Sequence, residues 1–414
     1  MPDSQPQSRD GATADTTALV LCGARLTDGR TVDVRLSGGR IEAVGTAGSL
    51  ATCGARVDLT GYLLLPAPAE PHAHSDTALT ALGAPPAGGP VSYRAEDVQR
   101  RATEAALLQL GHGATALRSH VRIGDAQELE PMAAVLRARR SLRGLGDLAA
   151  VAVPRLLTGR AGADGLAMLR DAVRMGAAAV GGCPDLDPDP AGYTEAVLDI
   201  AAEHGCPVDL HTDGDDPARL ARLAAMAGGL RPGVTLGPCG GLAELPAEVA
   251  ARAADQLAAA GVTVVCLPQG GCGGARLRGV APVRLLRTAG VRVAAGGGAL
   301  RDVSNPVGRG DPLEAAYLLA SLGGLRAEDA YDAVSGAARA AMGLPEVRVE
   351  AGFPAELLAV RGESVAGVLS IAYSRIVIHR GRVVARTSAV REYCDSAGPA
   401  ALELPRQGRA DAAP

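Results

Sequence analysis

Three histidines have neighbours and spacing that suit metal chemistry. His72 and His74 stand at positions i and i+2 of the segment EPHAHSD. In extended backbone two such side chains point the same way, so both imidazoles can reach one cation. His211 ends a short apolar run, VDLH. On its own the HxH pair is a weak signal, and two surface histidines are the simpler interpretation. The secondary structure around the pair is therefore needed to choose between a metal site and a surface pair.

Those elements alternate between short apolar runs and segments of helical period. Eight such units follow one another, from LLLPA with AEDVQRRATEAALLQL to VRVAAG with PLEAAYLLASL, and we assign residues 66–346 to them. Continuous apolar strands fit a parallel sheet covered on both faces, and eight strand-helix units are what a closed barrel needs. We therefore predict an α/β fold with a (β/α)8 barrel of the TIM type, whose chemistry lies at the carboxyl ends of the strands.

Short alternating runs flank the predicted barrel on both sides. They fall in residues 18–65 and 347–390, are separated by Gly and Asp, and include an Arg380-Gly381 hairpin turn. This pattern predicts that the two ends pair into one small composite β-sandwich domain. Residues 1–17 and 396–414 are polar and aperiodic, which predicts disordered tails.

Composition and charge argue against several classes of partner. The 414 residues carry a formal net charge of -4, one Phe and no Trp, which favours neither long-range attraction to nucleic acid nor base stacking. The sequence has no long apolar span and no secretory signal, and its eight cysteines are scattered. We expect a cytoplasmic protein with a small-molecule ligand and no nucleic-acid or membrane partner. Assembly into a homo-oligomer is left open.

The setting of the histidines resembles that in cytosine deaminases of the amidohydrolase superfamily. EPHAHSDTALT (70–80) is similar to their first-strand motif and LRSHVRI (117–123) to their second-strand motif. VGGCP (180–184) and VDLHTD (208–213) are similar to the ends of strands four and five, and residues 290–308 match the eighth-strand region in length. The resemblance spans roughly residues 18 to 390, and the combination of HxH with VDLH is quite specific.

This resemblance implies hydrolysis of non-peptide carbon-nitrogen bonds. In the family, the HxH pair, a strand-five histidine and a strand-eight aspartate hold one divalent metal. A glutamate three residues after the strand-five histidine moves protons, and a strand-six histidine steadies the attacking water. His72, His74 and His211 occupy the matching positions here, so the resemblance implies a site for one divalent metal, zinc or iron.

Three other matching positions have changed. Gly214 stands where the glutamate is expected, Pro238 where the strand-six histidine is expected, and Gly298 where the metal-binding aspartate is expected. We therefore expect metal binding to be weak or absent and catalysis to be lost or strongly altered. The alternative is a non-catalytic protein that binds a small molecule or a partner on the same barrel.

The residues expected to contact a substrate also differ from the family. Arg155 follows Pro154 where the family usually has glutamine, and Asp185 follows Pro184 where it has histidine. We expect Arg155 and Asp185, with His120 of the second-strand motif, to line the pocket. Such a pocket should prefer a polar or anionic molecule to cytosine.

Some residues could replace the missing groups. Asp213, Asp215 or Asp216 could take over from the glutamate, although Asp213 matches an aspartate that the family already has, and Asp216 precedes Pro217 like a helix cap. Cys239 and Cys272 could add thiolates to the metal site, although buried cysteines are usually small apolar side chains.

Two glycine clusters, at 270–274 and 296–298, lie after the last two strands with Arg276 and Arg301 nearby. Barrels often bind phosphate there on backbone amides. Glycine runs are also what remains when functional side chains are lost, and we favour this second interpretation.

Overall fold

Two eight-stranded sheets organise the chain in the computed structural model, which describes residues 18–50, 54–81, 92–124, 128–270 and 279–389. One sheet is parallel and nearly closed, and the other is mixed. Each has its own apolar core, with Leu117, Leu210 and Val264 in the first and Leu21 and Leu357 in the second. The predicted tails, 1–17 and 396–414, lie outside the described residues.

The parallel sheet has its strands in chain order, each hydrogen-bonded to the next. An isolated parallel bridge between Ala73 and Gly298 joins the last edge to the first. The strands are β6 (Ala69–Ala73), β7 (Ala116–Ile123), β8 (Asp147–Pro154), β9 (Ala179–Gly182), β10 (Val208–Thr212), β11 (Val234–Pro238), β12 (Thr263–Cys266) and β13 (Arg292–Ala295). The predicted (β/α)8 barrel is confirmed.

A helix follows each barrel strand. Asp189, Asp216 and Asp311 cap three of these helices by accepting hydrogen bonds from first-turn amides, and a proline follows each cap. The eight helices are α1 (Ala95–Gly111), α2 (Glu130–Ser141), α3 (Gly159–Met175), α4 (Pro190–His204), α5 (Pro217–Ala227), α6 (Ala247–Ala259), α7 (Val283–Thr288) and α8 (Pro312–Ser321). Within the described ranges, no helix is long and apolar enough to cross a bilayer.

The mixed sheet draws strands from both ends of the chain, as predicted. Its order is β16-β15-β14-β5-β1-β2-β3, and β4 pairs with β1. The strands are β1 (Leu19–Arg25), β2 (Thr31–Ser37), β3 (Arg40–Thr46), β4 (Ala55–Asp58), β5 (Tyr62–Pro66), β14 (Leu357–Arg361), β15 (Arg375–His379) and β16 (Arg382–Thr387). Arg380 and Gly381, both with positive φ, form the predicted turn between β15 and β16. Three further helices are α9 (Ala327–Val334), α10 (Gly336–Ala341) and α11 (Val365–Ile371).

One predicted barrel strand belongs to the mixed sheet instead. The LLLP run lies in β5, which pairs antiparallel with β14, so LLLPA is not the first barrel strand. That strand is β6, which itself contains Glu70 and His72. Periodicity could not separate the two, because a fully buried strand of either sheet gives a continuous apolar run. Pro66 and Pro68 mark the crossing from one sheet to the other.

Candidate functional site

Four histidines converge at the carboxyl ends of the barrel strands. His72 lies in β6, His74 directly after it, His120 in β7 and His211 in β10, and one ring nitrogen from each lies within 4.8 Å of the others. The Nε2 atoms of His74 and His211 are 3.4 Å apart. The structure thus brings the three histidines singled out as metal ligands together, and adds His120, which the sequence had suggested only as a pocket residue.

Burial keeps this cluster neutral. His72 and His120 are buried, whereas His74 and His211 are half-buried and lie on the open side. Desolvation lowers the pKa of His74 and of His211 to about 4, with help from the charge of Arg122 for the first and from His74 for the second. Desolvation and the neighbouring imidazoles lower the pKa values of His72 and His120 as well. At neutral pH every ring therefore keeps a lone pair for a metal ion.

A buried ion pair lies against the inner side of the cluster. Oδ2 of Asp209 is 2.6 Å from Nη2 of Arg118 and 3.2 Å from Nε2 of His120, and all three residues are almost fully buried. Arg118 also donates to the carbonyl of Pro71 and to Oγ1 of Thr235. Nε2 of His120 lies close to the carboxylate of Asp209, although neither ring nitrogen of His120 makes a hydrogen bond that meets ordinary geometric limits.

The strand-eight glycines make room for Glu70. Its carboxylate accepts from the amides of His72 and Gly297, at 3.0 and 2.7 Å, while burial raises its pKa to about 7. A Cβ on Gly296 would lie 2.3 Å from Oε1 of Glu70. The amide of Gly298 donates to the carbonyl of His72. Packing therefore requires these glycines, which argues against the interpretation that they only mark lost functional side chains. The amides of Gly297 and Gly298 already have acceptors, which argues against phosphate binding on them. Most of the strand-seven cluster, with Arg276, lies outside the described residues.

At two of the positions where family residues are missing, a side chain would start toward apolar neighbours. Gly214 has φ +70°, and a Cβ there would meet Leu242 at 3.3 Å and Leu220 at 3.6 Å. Gly298 has φ +68°, and the nearest atoms to its Cβ would belong to Leu267 and Gly270.

Pro238 ends β11 and lies opposite Thr212 in the strand register. Unlike the expected histidine, a proline at this position has no side-chain nitrogen that could bind a water molecule.

Asp185 and Arg155, two of the three predicted substrate contacts, are placed apart from the four histidines. Asp185 accepts from Oγ1 of Thr212 and from Nη1 of Arg219, each at 2.9 Å, so its carboxylate is engaged between β10 and α5. Arg155 is exposed just beyond the end of β8. His120 is the member of the predicted set that reaches the histidine cluster.

The candidate replacements lie apart from the four rings. Asp213 is half-buried after β10, and its charge raises the pKa values of the Cys183 and Cys239 thiols, which burial raises most. Asp215 is exposed and Asp216 caps α5. In the part of the chain that the structure describes, neither these acids nor Cys239 belong to the group of four. Cys272 lies outside the described residues.

Comparisons with known proteins agree with this architecture. A model described as the amidohydrolase family matches residues 87–385. The match covers more than half of the chain, so this protein belongs to the amidohydrolase family.

Particular relatives are deaminases and aminohydrolases. A pterin deaminase of Rhizobium rhizogenes strain K84 is 26% identical over an alignment of 390 positions that covers 86% of this chain and 88% of that protein. The N-isopropylammelide isopropylaminohydrolase from Burkholderia multivorans has a TM-score of 0.79 at 26% identity, over 90% of this chain and 100% of that one. The 5-methylcytosine deaminase from Klebsiella pneumoniae has a TM-score of 0.77 at 24% identity, over 90% and 98%. The resemblance drawn from the motifs is confirmed.

Proposed function

We propose that this protein binds one divalent metal ion of the zinc type at the four histidines and does not deaminate by the route of its family. The composition of the cluster supports the proposal: its four ligand atoms, all within 4.8 Å of one another, come from imidazoles, and no carboxylate of the described residues belongs to this group. Imidazole suits zinc, copper, iron and nickel. Buried ring nitrogens of His120 and His211 without a hydrogen-bond partner support the fit.

The expectation of weak or absent metal binding assumed three imidazoles and an empty fourth position. The cluster contains His120 as well, so the number of available nitrogen donors equals that of a tetrahedral site. We therefore replace that expectation with binding of about one equivalent, because the part of the chain that the structure describes contains one such cluster.

Deamination needs a proton carrier as well as a metal. Gly214 has no side chain, and the acid that approaches the rings, Asp209, is paired with Arg118. The metal, the carrier and the group that orients water act as a unit, so losing one lowers the rate by several powers of ten. This supports a non-catalytic role for the barrel.

A second candidate is a carbon-nitrogen hydrolase with a relocated proton carrier. Asp213 favours it, because this half-buried acid directly follows the strand that carries His211. Its carbonyl is held by the amide of Gly241, which fixes the backbone at this point.

The charges around the mouth support an anionic or polar small molecule as the ligand. Arg155 is exposed beyond β8, and Arg122, whose side chain is 57% exposed, lies close enough to lower the pKa of His74. A thermal-shift screen of metabolites would identify such a ligand, because binding to the folded state raises the melting temperature. Stabilisation by cytosine ahead of every anion would contradict this choice.

Turnover assays separate the two candidates. Native protein and His211→Ala, both supplied with zinc, would be incubated for long periods with cytosine, pterin or N-isopropylammelide, and released ammonia or amine measured. The last two are substrates named for the relatives. We expect the native rate to equal that of His211→Ala. A native rate that disappears in His211→Ala would overturn the non-catalytic proposal, and Asp213→Asn would then test the relocated carrier.

A further inference from the structure

We propose that His120 is the fourth metal ligand, in place of the missing strand-eight carboxylate, so that four imidazoles enclose the ion and leave no open position. This inference rests on the proposed metal binding. It goes further by stating that the coordination shell is closed.

The position of His120 relative to the other rings is that of a full member of the site. Its ring centroid lies 4.0 Å from that of His72, 4.5 Å from that of His211 and 5.4 Å from that of His74. The other three rings are separated from one another by 4.5 to 5.3 Å. His120 therefore lies about as close to the other three rings as they lie to one another.

One pair of ring nitrogens already has the separation that zinc requires, and the others are near it. In a tetrahedral site with Zn–N bonds of about 2.0–2.1 Å, two ligand nitrogens are roughly 3.3 Å apart. The Nε2 atoms of His74 and His211 already lie 3.4 Å apart. Because all four donors lie within 4.8 Å of one another, closing around an ion needs side-chain shifts of about 1 Å.

Asp209 provides the support that a ligating histidine needs. Metal-bound histidines usually direct their second ring nitrogen at a carboxylate or carbonyl, which orients the ring and makes it a better donor. Oδ2 of Asp209 stands 3.2 Å from Nε2 of His120, and Arg118 holds the carboxylate in place. Nδ1 of His120, the ring nitrogen that does not approach Asp209, has no hydrogen-bond partner among the described residues and is the atom that would bind the ion.

Strand eight does not supply the fourth ligand. At Gly298 a side chain would point to Leu267. Asp302, farther along the same segment, already accepts from Oγ1 of Thr77 and from the amides of Ser304 and Asn305. The fourth donor of this site thus comes from β7.

Four protein ligands complete the tetrahedral shell of zinc. Structural zinc sites are closed in this way, whereas catalytic sites keep one position for water or substrate. A closed site predicts that exogenous anions do not reach the ion, whatever stands at position 214.

The ligand role is tested with His120→Ala, Asp209→Asn and the control His204→Ala, which removes a histidine of α4 outside the cluster. Zinc affinity would be measured by chelator competition, and cobalt-substituted proteins by their visible spectra. Loss of an orienting residue lowers affinity by about 10–100-fold, which we expect for Asp209→Asn. We expect His120→Ala to lose more than about 100-fold and the tetrahedral cobalt band, with His204→Ala unchanged. An affinity loss in His120→Ala no larger than in Asp209→Asn, with the band retained, would overturn the proposal.

Two measurements on the native protein remain informative if His120→Ala does not fold. X-ray absorption of the zinc protein should show four imidazole nitrogens at about 2.0–2.1 Å, and azide should leave the cobalt spectrum unchanged. Three imidazoles with a water oxygen, or an azide-dependent spectrum, would reject the closed site while leaving metal binding intact. A native protein that takes up no metal would instead reject the proposed function itself.

Discussion

Arg375 and Asp311 form a bidentate ion pair between the mixed sheet and the barrel. Nη1 and Nη2 of Arg375 donate to the two carboxylate oxygens of Asp311 at 2.8 and 2.7 Å, and both residues are buried. Arg375 begins β15 of the mixed sheet, and Asp311 caps α8 of the barrel. Arg375 also donates to the carbonyls of His112 and Ala372. The pair therefore fixes the mixed sheet to the barrel.

Removing one partner of this pair should destabilise the protein strongly. Asp311→Ala leaves Arg375 charged and buried without its counter-ion, and removes the cap of α8. We expect the free energy of unfolding to fall by about 3–5 kcal/mol. Urea unfolding of native and variant proteins measures the difference. The matched control is Asp147→Ala, which breaks an exposed ion pair with Arg380. The side chains of Asp147 and Arg380 are 49% and 59% exposed, so this variant should lose no more than about 1 kcal/mol of unfolding free energy. Equal losses in the two variants would contradict this interpretation.

The same pair should make stability depend on pH. Burial alone would raise the pKa of Asp311, but the hydrogen bonds and charge of Arg375 outweigh it and hold the pKa below its ordinary value. A carboxylate with a lowered folded-state pKa stabilises the protein above its unfolded value, about 3.9, and loses that contribution as the pH falls through the folded value. The stability difference between native protein and Asp311→Asn should therefore shrink from about pH 5 downward. A difference that stays constant down to pH 3 would exclude this linkage.

Glu70 explains why Gly296 cannot carry a side chain. Gly296→Ala would drive a methyl group into Oε1 of Glu70 and disturb the two hydrogen bonds that this carboxylate accepts. We expect a loss of about 1–3 kcal/mol in unfolding free energy, as for other overpacked cores. Gly111→Ala is the control, because a Cβ there meets nothing within 4 Å. If Gly296→Ala is as stable as the control, the packing explanation fails.

The barrel was predictable because its strands and helices leave distinct periods in the sequence. The composite sheet was predictable from short alternating runs at both ends. The error at β5 arose because LLLP is apolar on both faces in either sheet, and its partner β14 lies far along the chain. Local patterns do not record which distant strand will pair.

The site was only partly predictable for a similar reason. His72 and His74 share a strand, and the resemblance supplied His211. The place of His120 depends on how β7 is rotated against β6, where the register shifts between Glu70 and Ala73. The contact between Glu70 and Gly297 joins residues 227 positions apart. Neither the register shift nor this contact has a local sequence signal.

The backbone at Gly214 predicts that restoring the family's glutamate will not restore its chemistry. Gly214→Glu places a side chain on backbone with φ +70°, at a cost of about 1–2 kcal/mol for an L residue, and its Cβ would face Leu242 and Leu220. We expect reduced stability and no deamination of cytosine or pterin above His211→Ala. Gly214→Asn, which tolerates this conformation better, is the control for strain and should be the more stable of the two.

Adding Pro238→His and Gly298→Asp to Gly214→Glu should not rescue turnover either. The backbone at 298 directs a side chain toward Leu267, so the new carboxylate would not reach the ring nitrogens without rearrangement. Metal content, unfolding free energy and ammonia release would be measured on the same preparations. Turnover that appears in Gly214→Glu alone, and disappears when His211→Ala is added, would show that a proton carrier was all that the site lacked. The histidine cluster would then have to hold its metal with a position open to water.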